Sequence, residues 1–264
     1  MRRIGSLARV GVGLCILAVG SLVMLMVAIP TLGIARRFYS EVIGRWIGIL
    51  ILRTSGVGYR VHGRPQPSSV QTIYISNHSS TIDVFLLIAL ALPRTRFFLS
   101  GFLRKVIPIG LIGALIRIFW TVGQEFPNRR RQIFKRADRI LRRTGDSVYL
   151  SPEGMRVTTG EIGSFNKGSF HLATSLHAPI VPMYFSIPAE INPGMGLEAK
   201  PGITDIYFLP PIDTTTWTLA DLERNRDAVH DLFVRVHATM RSTGALPDAL
   251  GIVVEQPMHE EALV

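Results

Sequence analysis

Apolar and polar positions recur along this chain with two periods, and one long stretch has no polar face at all. From Val10 to Ile29, "VGVGLCILAVGSLVMLMVAI", twenty consecutive residues carry no charge. As a helix rising about 1.5 Å per residue, such a run reaches about 30 Å, the thickness of a bilayer core. A second apolar piece, Val42 to Leu52, is interrupted by Arg45 and is too short to span. It reads as an interfacial or leaflet-embedded helix paired with the first. A secretory signal peptide is the rival reading for the first run, since Arg2 and Arg3 precede it. The run exceeds the roughly 7–15 residues usual for a signal core, and no small-x-small cleavage site follows. Arginines flank both pieces, so a hairpin dipping into the cytosolic leaflet and a single span both satisfy the positive-inside rule.

Beyond this anchor, residues 1–55, period-two and period-3.6 segments alternate. Glycine, proline and serine between Thr54 and Gln71 mark a connection, opened by an edge strand at Val57 to His62. Thr72 to Ser76 reads as a buried strand, and Asp83 to Leu92 as a helix ending before Pro93. Val106 to Ile116 is apolar but broken by Pro108 and two glycines, and is either core or a surface pressed on lipid. Asn128 to Arg143 carries eight Lys/Arg against one Asp, with Ile133, Phe134, Ala137, Ile140 and Leu141 at helical spacing. That predicts a basic amphipathic helix stopped by Gly145. Strands follow at Ser147–Leu150, Pro179–Phe185 and Thr204–Leu209, with a helix from Lys167 to Leu176. A closing helix, capped by Thr218 with Asp221, runs to about Met240. The alternation predicts an α/β domain over residues 56–240, with a poorly ordered tail at 241–264.

Composition narrows the partners. The chain of 264 residues is 47% hydrophobic and carries a net charge of +10, with a mean hydropathy of +0.30 and a pI near 10.4. An anionic membrane surface explains the apolar and the basic character together. No zinc pattern or aromatic RNA-binding signature accompanies the charge, which argues against nucleic acid. The single cysteine, Cys15, excludes an intrachain disulfide and an all-cysteine metal site.

Chemistry is concentrated in two loops. In "NHSSTID", Asn77 to Asp83, a turn from strand to helix brings Asp83 back beside His78. A carboxylate on Nδ1–H fixes the imidazole tautomer and leaves Nε2 free to take a proton. The same residues could be ordinary turn and helix-start chemistry. In "SPEGMR", Ser151 to Arg156, arginine can grip a phosphate, glycine lets a ligand approach the backbone, and glutamate can hold hydroxyls or orient the arginine. A surface turn with an ion pair is the bland alternative. Lys167 and Gly168 at a helix start make a further candidate anion site.

Taken in order, "NHSSTID", "SPEGMR" about seventy residues on, "FNKG" (Phe165 to Gly168) and "APIVPMYF" (Ala178 to Phe185) resemble blocks of the glycerolipid acyltransferases of the lysophosphatidic acid acyltransferase type. The likeness runs from Val57 to Leu209. It implies an α/β fold with a mixed sheet flanked by helices, behind a membrane-embedded helical pair. The implied reaction moves an acyl group from acyl-CoA or acyl carrier protein to the free hydroxyl of a lysolipid, without metal or redox cofactor, at the inner cell membrane facing the cytoplasm. His78 carries over as general base and Asp83 as its orienting partner. Glu153, Gly154 and Arg156 carry over as acceptor-binding residues, and Asn77 and Pro182 fall in blocks tied to substrate. The second block departs from the family: Val122 stands where an arginine is usual, with Arg117 or Arg129 as nearby substitutes. Met155, Val157 and Asn166 also differ, so a lysolipid with another headgroup, such as a lyso-ornithine lipid, stays open as acceptor. An esterase is the rival enzyme class, although no G-x-S-x-G elbow occurs. A basic membrane-binding protein with a structural His78 is the non-enzymatic rival.

Overall fold

The computed structural model describes residues 2–192, 194 and 199–246. The expected tail at 241–264 lies mostly outside these residues. The helices are α1 (Arg2–Ala28), α2 (Arg36–Phe38), α3 (Gly44–Thr54), α4 (Asp83–Ala89), α5 (Ile107–Leu115), α6 (Pro127–Thr144), α7 (Gly168–Leu176) and α8 (Leu222–Thr243). The strands are β1 (Val57–His62), β2 (Ile73–Ser76), β3 (Thr95–Ser100), β4 (Phe119–Thr121), β5 (Ser147–Leu150), β6 (Ile180–Ser186) and β7 (Gly202–Phe208). Among the described residues they form one sheet of order β1-β7-β6-β2-β5-β3-β4. The run from β6 to β4 is parallel, β7 lies antiparallel to β6, and β1 pairs parallel with β7 at the edge. The expected mixed sheet and edge strand are both present.

The sheet separates two apolar layers. On one side lie α1, α3, α4 and α5, packed against Tyr74, Phe97, Tyr149, Val181 and Phe208. On the other lie α6, α7 and α8, packed against Ile73, Val148, Leu150, Ile180 and Tyr207. The strands β2 and β5 are buried on both faces, which is why "IYIS" and "SVYL" contain almost no exposed polar position.

Among the described residues, α1 is the one helix long and apolar enough to cross a membrane, over Ala8–Ala28. Its Leu17, Met24 and Ala28 are buried, while Val19 and Met26 are more than half exposed. It packs on α3 where Gly20 meets the Ile47 side chain. The buried face of α3 is Gly44, Ile47, Gly48, Ile51 and Leu52, an i, i+3, i+4, i+7 stripe. A methyl group at Gly48 would stand 2.8 Å from the Phe85 carbonyl oxygen and 2.9 Å from the Ala89 nitrogen, so α3 touches α4 backbone to backbone.

One expectation needs correction, and one strand adds to those expected. Pro108 and the glycines do not break the 106–116 stretch: Pro108 lies in the first turn of α5, where its missing N–H would have had no helical acceptor. The strand β3, "TRFFLS", lies where the hydrophobic pattern assigns no element, and it opens on two polar residues, Thr95 and Arg96. Both are buried, and Arg96 Nε donates to Asp146 Oδ2 at 2.7 Å. The same oxygen accepts from Arg36 at 2.8 Å, tying the segment after α1 to the base of the sheet. Burial acts to raise the Asp146 carboxyl, and the two guanidiniums outweigh it, holding the carboxyl below its ordinary range.

Substituting Gly48→Val should force α3 away from α4 and cost about 1–3 kcal/mol, as overpacking does. Thermal unfolding in detergent checks this, with Gly13→Val, which has nothing within 4 Å, leaving the midpoint no lower than the parent's.

Candidate active site

The crossover leaving β2 runs through α4 on one face of the sheet, and that leaving β5 runs through α7 on the other. Adjacent parallel strands whose connections diverge leave a crevice at their carboxyl ends, the usual place for a site in an α/β sheet. The loops that follow these two strands are "NHSSTID" and "SPEGMR".

In the first loop the Nδ1–H of His78 donates to Asp83 Oδ2 at 2.8 Å. The same oxygen accepts from the backbone N–H groups of Ser79 at 3.0 Å and Ser80 at 3.1 Å. Asp83 side-chain exposure is 3%, whereas that of His78 is 33%, so the imidazole reaches solvent and its partner does not. Asp83 opens α4, where the free N–H groups favour an anion. The two N–H groups whose bonds Asp83 accepts precede the helix, so its oxygen holds the loop and the imidazole together.

Glu153, in the second loop, closes the constellation from the other side. Its Oε2 accepts the His78 backbone N–H at 2.6 Å and its Oε1 accepts the Gly163 N–H at 2.8 Å. The Val157 N–H returns a bond to the His78 carbonyl at 2.8 Å. Burial pushes the Glu153 carboxyl up to about 7, against the lowering effect of those two N–H groups. Gly154 has a φ of +71°, and a methyl group there would collide with the Asn166 amide. That amide donates to the Pro152 and Glu153 carbonyls, each at 3.0 Å, and so holds the turn. Arg156 reaches back to the Thr81 hydroxyl, between His78 and Asp83 in the chain.

The other sequence candidates are spread more widely. Asn77 bridges the Phe185 backbone with two hydrogen bonds, 2.8 and 3.0 Å, fixing the first loop to the end of β6. Pro182 is a buried strand residue paired with Ile75, and its carbonyl accepts the Leu209 N–H. Lys167 pairs with Glu223 of α8, and Gly168 lies under the Phe134 ring of α6, so neither joins the crevice. Of the two substitutes for the missing second-block arginine, Arg117 precedes β4 and neighbours Arg36 electrostatically, at the opposite edge of the sheet. Arg129 lies in the first turn of α6, over the Phe126 ring, and does not line the cleft at His78. Among the described residues, no three His, Cys, Asp or Glu side chains converge as a metal-binding group.

A cleft of about 210 Å³ opens at His78, Asn77 and Glu153. Its far wall holds His237 and Arg241 of α8, which the sequence did not suggest. His237 bonds Tyr184 at 2.8 Å and the Gly160 carbonyl at 2.9 Å, pinning the loop that carries Gly163. No local pattern around residue 237 differs from a solvated helix face, so only the tertiary fold reveals it.

The family model described as Acyltransferase matches residues 58–186, which hold both loops and the crevice between them. The 1-acyl-sn-glycerol-3-phosphate acyltransferase of Limnanthes douglasii is 31% identical over 195 residues, covering 73% of this chain and 68% of that protein. The enzyme of that name from Haemophilus influenzae is 29% identical over 206 residues, covering 75% and 79%. The crystal structure of the 1-acyl-sn-glycerophosphate acyltransferase of Thermotoga maritima shares the fold, with a TM-score of 0.69 at 18% identity, over 93% of this chain and all of that one. The chain belongs to the glycerolipid acyltransferases, of the lysophosphatidic acid acyltransferase type, and is an enzyme that joins an acyl donor to a lipid acceptor.

A carboxyl whose folded value of about 7 lies above its ordinary 4.5 holds its proton more tightly in the folded chain. Its contribution to stability is therefore full below the ordinary value and is lost as pH rises through the folded one. Thermal unfolding across this window should show the parent weakening with rising pH and Glu153→Gln with a flatter slope.

Proposed function

We propose that the protein acylates the free hydroxyl of 1-acylglycerol 3-phosphate, taking the acyl group from acyl-CoA or acyl carrier protein at the cytoplasmic face of the inner membrane. The observation that carries this reading is the 2.8 Å bond between His78 Nδ1 and the buried Asp83 carboxylate. It leaves Nε2 as an acceptor. That nitrogen takes the hydroxyl proton as the oxygen attacks the thioester carbonyl, and Asp83 supports the imidazolium that forms. Collapse of the tetrahedral intermediate breaks the C–S bond, and the imidazolium returns its proton to the leaving sulfur. A thioester is already activated, so the step needs no metal or redox cofactor.

Arg156, which bonds the Thr81 hydroxyl of the His78 loop, is the residue for the acceptor phosphate, which guanidinium suits by geometry and charge. Glu153 and Asn77 act as positioning residues, because their polar atoms are spent on the backbone around His78. In this reading α1 enters the bilayer and α3, packed on it, lies at the interface. Val122 favours a second acceptor reading, a lysolipid whose headgroup does not need a second arginine.

In an assay of acyl transfer with purified enzyme in detergent, His78→Ala should lower kcat by about 10²–10⁴-fold, the usual span of general-base catalysis. Asp83→Asn should fall in the same direction. A folded His78→Ala enzyme with near-parental turnover would remove His78 from the mechanism. Parallel assays with 1-acylglycerol 3-phosphate and a lyso-ornithine lipid separate the two acceptors.

A further inference from the structure

The edge of the sheet that bears the site also bears large apolar side chains with nothing to cover them. The loop leaving β3 turns tightly through Leu103–Lys105 and enters α5, and its Phe102 and Ile107 are 70% and 82% exposed. Between them, Arg104 and Lys105 are exposed and, among the described residues, meet no carboxylate. Because β3 is parallel to β5 and β5 to β2, this loop emerges on the same edge as His78 and Glu153. Two strand spacings of about 4.8 Å put it roughly 10 Å along that edge. Met155, in the second site loop, is a further apolar side chain left 63% exposed there.

Soluble surfaces seldom present aromatic and branched side chains at such exposure within one short loop, and the two cations between them in the chain match an interface with anionic lipid. The surface is continuous with the anchor, since α5 packs directly on α1 and shares its apolar layer. We infer that the β3–α5 loop is a second membrane contact, in which Phe102 and Ile107 enter the acyl region of an anionic leaflet while Arg104 and Lys105 hold its headgroups. The inference rests on the proposed reading of a membrane enzyme and extends it: the anchor tethers the protein, and this loop turns the catalytic edge toward the lipid.

The contact is testable with the full chain reconstituted in phosphatidylcholine vesicles with and without phosphatidylglycerol. In a Cys15→Ser background, an environment-sensitive fluorophore is placed on Phe102→Cys, at a site exposed enough for the fold to be indifferent, and separately on Val19→Cys of α1. The label at 102 should be quenched by nitroxides on lipid acyl chains and protected from aqueous iodide when phosphatidylglycerol is present. Adding Arg104→Glu and Lys105→Glu should lower that quenching several-fold. Iodide access at 102 without lipid quenching would overturn the inference. Protection from both quenchers would overturn it too, since a protein surface or a second copy would then cover the loop. The label at 19 reports the anchor independently, so loss of its lipid quenching sinks the reading of α1 and leaves the result at 102 to stand on its own.

Discussion

One carboxylate oxygen organises the site. Asp83 Oδ2 accepts the imidazole Nδ1–H and two consecutive backbone N–H groups, and in doing so it fixes the turn, the ring and the first residue of α4 at once. Each donor lost from a carboxylate this buried would leave a polar oxygen without a partner, which is costly in a low-dielectric layer. The imidazole is thus presented to the cleft by the same bonds that fold the loop. Glu153 completes the frame from the neighbouring strand, holding the His78 backbone while Asp83 holds its ring.

A second ion group does for the scaffold what Asp83 does for the site. Asp146 draws Arg36 and Arg96 to one oxygen at the base of β5. The first arginine follows the apolar helix and the second lies in a buried strand, so the N-terminal helices and the sheet are linked by charge as well as by packing. Breaking one partner of such a group leaves an uncompensated buried charge, which is far costlier than removing the group whole.

Much of this architecture was legible in the chain. Short apolar runs, alternating in β1 and continuous in β5 and β6, marked β1, β5, β6 and β7 to within two residues, and the glycine at 145, with φ of +63°, ended α6 where expected. The His78–Asp83 pair and the loop at Glu153 were visible as motifs, and the structure brings them to adjacent strands. What stayed hidden depended on distant partners. Arg96 reads as a loop residue until Asp146, fifty residues away, is placed beside it. Lys167 and Gly168 looked like an anion site, yet one meets Glu223 and the other an aromatic ring. His237 and Arg241 reach the cleft only because α8 folds back over the loop at Gly160.

The strand order carries a consequence for how the protein is made. Strands β2 and β3 follow one another in the chain but are not neighbours, since β5, synthesised later, lies between them. Until β5 takes that place, the His78 loop has no Glu153 to pin it. A nascent chain therefore completes its apolar N-terminal helix well before it can assemble the frame around its imidazole. Maturation of the site is in this sense a late event, and an incomplete chain carries the histidine without the Glu153 contact that pins its backbone.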